Sequence, residues 1–198
     1  IAGGDYSPIR RTAVFDSRDN GTSWQPITCP LGHITAGTAA TAGQSIGRTF
    51  GAVDRLGNAI FPSGASNAVS LTTPQQPVHA LAMTGNQWIA AGSEGLLLSS
   101  NDTKSWRQVP SPLSAEASRL CTWNCIEQVG NQIWIAGHPG SAMLHSDNGG
   151  RSWVVQHTRS QTPVRKVQFF DSARGWAINA LGGILATRDG GATWYHQR

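Results

Sequence analysis

The chain has 198 residues, 23 of them glycine, with 13% charged residues and a net charge of +4. This is the size of one domain and a composition suited to short strands joined by tight turns. No apolar run approaches the roughly 18 residues of a membrane-spanning helix. Paired basic residues occur only at Arg10-Arg11 and Arg165-Lys166, so a concentrated basic face for nucleic acid is not expected.

The three cysteines, Cys29, Cys121 and Cys125, do not make a disulfide framework. A bridge from Cys121 to Cys125 would need a turn at 122–124, because an extended segment holds those Cα atoms roughly 13 Å apart. No second Cys pair or His-x₃-His follows them, so no metal site is expected. A phosphate loop and a dinucleotide fingerprint are also missing from the sequence, and no cofactor is expected.

In chain order, Ile1-Ala2-Gly3-Gly4 reads as the end of a strand, and Ser17-Arg18-Asp19-Asn20-Gly21-Thr22-Ser23-Trp24 follows it as a tight turn. Residues 45–53 and 59–61 read as two further strands. The unit 78–109 is better defined. Strands are expected at 78–83, 87–92, 96–99 and 106–109, with Ser99-Ser100-Asn101-Asp102-Thr103-Lys104-Ser105-Trp106 before the last. The next unit repeats this at 125–129, 133–137, 142–145 and 153–156, with Ser146-Asp147-Asn148-Gly149-Gly150-Arg151-Ser152-Trp153. The last has strands at 164–170, 175–178, 184–187 and 194–197, with Thr187-Arg188-Asp189-Gly190-Gly191-Ala192-Thr193-Trp194.

Two of the four turns, 17–24 and 187–194, match the pattern Ser/Thr-x-Asp-x-Gly-x-Ser/Thr-Trp, here called the box. The turn 146–153 has Asn in place of Asp, and 99–106 has Asn in place of Asp and Thr in place of Gly. The box tryptophans, Trp24, Trp106, Trp153 and Trp194, are 82, 47 and 41 residues apart. A period of 40–47 residues with one missing beat, near residue 65, fits blades of four short strands. The Gly supplies a positive φ, the Asp accepts backbone N–H groups, and the Trp anchors the turn by burial. Counting back from each Trp assigns the acceptor role to Asp19, Asn101, Asn148 and Asp189, with Asn keeping the acceptor oxygen.

These turns resemble Asp-box (BNR) repeats, which occur in sialidases, sortilin-type receptors and photosystem II assembly factors of the Ycf48 and HCF136 kind. The run Gly175-Trp176-Ala177-Ile178 through Gly182-Gly183-Ile184-Leu185-Ala186-Thr187-Arg188-Asp189-Gly190-Gly191-Ala192-Thr193-Trp194 is similar to the last group. The resemblance implies an all-β propeller of four-stranded antiparallel blades. Five blades are expected in one domain: an incomplete one over 1–28, then 33–72, 78–110, 119–157 and 164–198. A larger ring stays open as an alternative. The resemblance further implies that the boxes are structural and lie away from the ligand face.

Tyr6-Ser7-Pro8-Ile9-Arg10-Arg11 is not the Phe/Tyr-Arg-Ile-Pro motif that sialidase-like enzymes place before their first box, and a Tyr–Glu nucleophile pair is unsupported. The loops between second and third strands carry Asp5, Asp54, Glu94 and His138, which in a propeller share one end. Carboxylates converging there could serve glycoside chemistry or form a solvated rim. The long linker 110–124 carries Arg119 and Trp123, with Arg165 and Lys166 on the following unit; Trp123 stands outside the box register and reads either as a recognition anchor or as a cap on the local core. The expected function is a non-catalytic protein-binding and assembly scaffold acting outside the cytoplasm, in a periplasm, a thylakoid lumen or a secreted setting. Its expected partners are proteins, including a membrane-associated complex. The alternative is a sialidase-like propeller that binds or hydrolyses glycans.

Overall fold

The computed structural model describes residues 2–4, 12–17, 19–27, 34–39, 50–54, 58–60, 69–70, 76–84 and 87–197. Their strands form five antiparallel sheets, each a meander in which sequential strands pair. The first sheet holds β1 (Ala2–Gly4), β2 (Thr12–Asp16) and β3 (Gln25–Ile27). The second holds β4 (Ile34–Ala39), β5 (Phe50–Asp54), β6 (Asn58–Ile60) and β7 (Val69–Ser70). The third holds β8 (Val78–Thr84), β9 (Gln87–Gly92), β10 (Leu97–Ser100) and β11 (Arg107–Gln108). A five-residue helix, α1 (Ala115–Arg119), precedes the fourth sheet. That sheet holds β12 (Thr122–Val129), β13 (Gln132–His138), β14 (Ala142–Ser146) and β15 (Val154–His157). The fifth holds β16 (Val164–Phe169), β17 (Gly175–Asn179), β18 (Ile184–Thr187) and β19 (Tyr195–His196).

This is the all-β propeller architecture that the repeat implies. The unit 33–72, which lacks a box, still contributes four strands; Ile34–Ala39 supplies a first strand the sequence did not mark, and of the strand expected over 45–53 residues 50–53 lie in β5 while 45–49 fall outside the described residues. Neighbouring sheets meet through their first strands, β4 beside β8, β8 beside β12 and β12 beside β16. The core therefore lies between sheets, as a blade with two apolar faces requires. Between the third and fourth sheets, Ile89, Ala91 and Leu97 pack on Trp123, Ile133, Ile135, Leu144 and Trp153. Between the fourth and fifth, Trp134, Ala136 and Met143 pack on Val167, Phe169, Ala177, Leu185 and Trp194.

The box turns are hydrogen-bonded as their composition dictates. Asp189 accepts the Thr193 N–H at 2.8 Å and the Thr193 hydroxyl at 2.6 Å, and the Thr187 hydroxyl reaches it at 2.8 Å. Asp19 accepts from Ser23 in the same way. Asn148 Oδ1 accepts the Arg151 and Ser152 N–H groups, while its Nδ2 donates to Ser152 Oγ at 2.7 Å.

The turn before Trp106 is built one residue later than the sequence count places it. Asp102, not Asn101, is the acceptor: its Oδ1 takes the Lys104 and Ser105 N–H groups at 2.9 and 2.7 Å and the Ser100 hydroxyl at 3.0 Å. Asn101 is exposed. The full boxes place two consecutive residues at positive φ, Asn20-Gly21, Gly149-Gly150 and Gly190-Gly191, whereas this turn has only Thr103, at 63°. One residue is missing after the acid, so counting back from Trp106 shifts the frame.

The N–H and hydroxyl donors of Ser105, Lys104 and Ser100 hold the Asp102 carboxyl at about 2, and those of Ser23 and Ser17 do the same for Asp19. Each carboxyl thus sits below its unfolded value near 4. Their stabilising effect is complete above about pH 4 and is lost as the pH falls through about 2. Asp102→Asn is expected to stay folded at neutral pH, as Asn148 does in its own turn, and to flatten the acid limb of the thermal stability profile between pH 4 and pH 2. Asn101→Ala should leave that limb intact. Thermal melts across this range separate the two residues.

Candidate functional site

Each four-stranded sheet carries a bulge at the start of its first strand. The pairing shifts between Ile34 and Ala36, Val78 and Ala80, Trp123 and Cys125, and Val164 and Lys166. The residues in the bulges are Thr35, His79, Asn124 and Arg165. A bulge re-aims a side chain that the pleat would otherwise fix, and bulges concentrate beside functional sites. Because β4, β8, β12 and β16 are neighbours, the four residues stand at equivalent places along the inner edges of consecutive sheets.

Close backbone approach shapes these bulges. Val78 pairs with Gly92 and Trp123 with Gly137. A Cβ on Gly92 would lie 2.2 Å from the Pro77 oxygen, and one on Gly137 2.0 Å from the Thr122 oxygen. The same end of the strands gathers the turns after β9, β13 and β17 and the linkers between sheets. Gly95 N–H donates to the Cys121 oxygen at 2.9 Å, Ser93 bridges to Thr122, and a Cβ on Gly95 would meet Ser118 of α1 at 2.8 Å. Thr158 caps the next junction, donating its N–H to the Ser141 oxygen and its hydroxyl to the Gly140 oxygen. Ala180 N–H donates to the Pro163 oxygen at 2.8 Å.

The side chains at this end are polar and of mixed charge. His79 is half-buried with Nε2 2.8 Å from Ser93 Oγ; burial pushes its pKa below the usual imidazole value, so the ring is neutral at pH 7. Asn124 and Arg165 are exposed. Lys166 is exposed and its charge acts on half-buried Glu127. Glu127 itself lies further along β12, away from the bulge and toward the far end of β16: burial raises its pKa, opposed by the Phe169 N–H, 3.3 Å from Oε1, and by Lys166.

Glu94 is exposed in a left-handed conformation, φ 53°, and accepts from Gln76 at 3.3 Å. Arg119 ends α1, and that helix sits against the Glu94 turn. His138 is exposed at the end of β13. Glu94 with Arg119, and His138 with Arg165, thus belong to two adjoining junctions of the same end. Asp54 ends β5 opposite Ile34. Asp5 lies outside the described residues.

Trp123 is not a loop anchor. The linker folds into α1, β12 begins at Thr122, and Trp123 is fully buried between the third and fourth sheets. It sits at the Val78 position of the repeat, where every sheet needs an apolar residue before its bulge. Cys121 and Cys125 are free and buried in separate clusters, since β12 crosses 122–124 with a bulge and no turn. His79 and Asn124 escaped the sequence reading. Their signal is a polar residue directly after the first apolar residue of each first strand, Thr35, His79, Asn124 and Arg165, visible once the units are aligned on the bulge.

The box end carries a different feature. An open cavity of about 610 Å³ lies between the third and fourth sheets, lined by Gln87, Asn101, Asn131, Asp147, Asn148 and Arg151 among others. Among the described residues no group of three or more His, Cys, Asp or Glu could hold a metal ion.

No family model matches the chain. The photosystem II assembly protein Ycf48 of Thermosynechococcus vestitus is 22% identical over 181 residues, covering 87% of this chain. The chain spans about half, 50%, of that relative's length. A structure of Ycf48 bound to a D1 peptide superposes with a TM-score of 0.54 at 23% identity, over 60% of this chain and 38% of that one. Virginiamycin B lyase from Staphylococcus aureus superposes over 100% of this chain and 69% of its own, with a TM-score of 0.70 at 10% identity, a likeness of fold alone. By its repeat and by its fold, the chain is a β-propeller similar to the Ycf48 proteins.

Proposed function

We propose that the chain is a non-catalytic protein-binding module of an assembly factor, acting outside the cytoplasm, and that it takes an extended peptide segment at the bulge end of its sheets. The observation that carries this reading is the repeated bulge, which presents His79, Asn124 and Arg165 at equivalent positions on neighbouring first strands. Arg165 and Lys166 supply cationic donors suited to a peptide carboxylate. Glu94 and His138, on exposed turns of the same end, offer further polar contacts at the rim. The similarity to Ycf48, for which a complex with a D1 peptide is known, supports a peptide as the ligand class. Its role in photosystem II assembly supports a membrane-associated complex as the setting.

The test is a fluorescence titration of the protein with a labelled D1 peptide beside a sialylated oligosaccharide. Saturable peptide binding is expected, weakened about tenfold by Arg165→Glu, a loss of about 1.4 kcal/mol. Saturable oligosaccharide binding without peptide binding would favour the sialidase-like alternative instead.

A further inference from the structure

The linker between the third and fourth sheets is longer than the crossing requires. Residues 109–121 join β11 to β12, whereas 158–163 suffice between β15 and β16. The added length is held in one shape. Ser114 caps α1 by accepting the Ala117 N–H at 3.2 Å. The Leu120 and Cys121 N–H groups close the last turn on the Ala117 and Ser118 oxygens. The Ser118 hydroxyl donates to Ser111 Oγ at 3.1 Å. Leu113 before the helix and Cys121 after it pack into the core between the two sheets.

No residue of α1 is itself buried. Fixing a segment costs conformational entropy, which burial of apolar area offsets in the core. The helix is ordered without that gain, as a loop kept for recognition is. Leu120 is the apolar side chain it holds out, 73% exposed, with exposed Arg119 before it and buried Cys121 after it. Four-stranded sheets flank this junction on both sides, so Leu120 is uncovered where both neighbouring sheets are present. The Cys121 oxygen accepts the Gly95 N–H, and Asn124 stands four residues on in the bulge of β12, so Leu120 adjoins the bulge end. The charges beside it are of both signs, Glu94, Glu116 and Arg119. The linker to the fifth sheet and the bulge after it carry Arg159, Arg165 and Lys166 and no acid.

From this we infer that Leu120 is a specificity residue of the peptide site, taking an aliphatic side chain of the bound segment while Arg165 takes an acidic one at the next junction. The inference rests on the peptide-binding reading above and adds a second requirement to it. Packed sheets stand about 10 Å apart and an extended chain advances about 3.3 Å per residue, so the aliphatic and acidic residues are about three positions apart in the ligand.

Anisotropy titrations of the labelled D1 peptide at low and high salt test this. Leu120→Ser should weaken binding about fivefold and Leu120→Met less than about twofold, because methionine keeps the apolar contact. The loss in Leu120→Ser should be the same at both salt concentrations, whereas the loss in Arg165→Glu should shrink at high salt. Both Leu120 variants change an exposed side chain and should keep the wild-type thermal melt; Leu120→Gln replaces Leu120→Ser if that melt is lost. A wild-type protein that binds the peptide with Leu120→Ser within about twofold of it overturns the inference and leaves the peptide reading standing. A Leu120→Ser loss that shrinks with salt as the Arg165→Glu loss does also overturns it. A wild-type protein that does not bind the peptide overturns both.

Discussion

Replacing Trp134 by alanine is expected to destabilise the protein by about 3–5 kcal/mol, the range for a fully buried aromatic truncated to a methyl group. Trp134 is 0% exposed at the junction of the fourth and fifth sheets. Its ring stacks on Phe169 with centroids 3.5 Å apart and planes 7° apart, and on His145 at 5.2 Å. Its Nε1 donates to the Gly190 oxygen at 2.8 Å. The side chain therefore ties the second strand of one sheet to the box turn of the next. Truncation opens a cavity between sheets that close-packed neighbours cannot fill. Gly190 keeps a second donor, Gln156 Nε2 at 3.1 Å, so the lost hydrogen bond is the smaller part of the effect. Urea denaturation measures it. The contrast is Trp176→Ala, at the same repeat position but 45% exposed, which should cost under about 1 kcal/mol in dilute solution, as surface changes do.

The second large effect is expected at Gly137. An alanine Cβ there would stand 2.0 Å from the Thr122 oxygen and 2.9 Å from both the Asn124 nitrogen and the Trp123 Cα. All three are backbone atoms, so no side chain can swing away. Strand β12 must move off β13 at its bulge, which also shifts buried Trp123. A loss of about 2–3 kcal/mol is expected, at the upper end of overpacking costs. Gly130→Ala makes a useful comparison, since nothing stands within 4 Å of a Cβ there and only its φ of 60° opposes the change; that backbone penalty is about 1 kcal/mol. Thermal melts of the two variants separate collision from backbone strain.

The sequence made the repeat legible because each box compresses three constraints into eight residues. A carboxylate or amide must accept turn N–H groups, a residue must tolerate positive φ, and a Trp must fill the gap between sheets. Where the chemistry stays intact the count works, as at Asp19, Asn148 and Asp189. Where one residue dropped out, after Asp102, Ser105 and Trp106 kept their spacing to each other and Ser100 and Asp102 kept theirs. The two pairs moved one residue closer, so counting back from the Trp slipped to Asn101. The second sheet shows the reverse: its strands persist without a box, since pairing and burial of residues such as Val53 and Ala59 carry the fold there.

The candidate site was less legible. Bulges alter pairing without changing composition, so His79 and Asn124 carry no signature except position. Trp123 misled because a lone Trp outside the box register looks unassigned. Its place before a bulge explains it once β12 is seen to start at Thr122. Arg165 was noted for its charge alone, and its bulge position came from the strand register.

The central claim is that ligand binding belongs to the bulge end of the sheets and not to the polar cavity beside the boxes. The most direct measurement is the anisotropy of a labelled D1 peptide titrated with two charge reversals, one at each end. Arg165→Glu should weaken binding about tenfold and Arg151→Glu, which lines the box-end cavity, should change it less than about twofold, a difference of about 1 kcal/mol between the ends. Loss of binding in Arg151→Glu with Arg165→Glu unaffected would contradict the account and move the site to the box end.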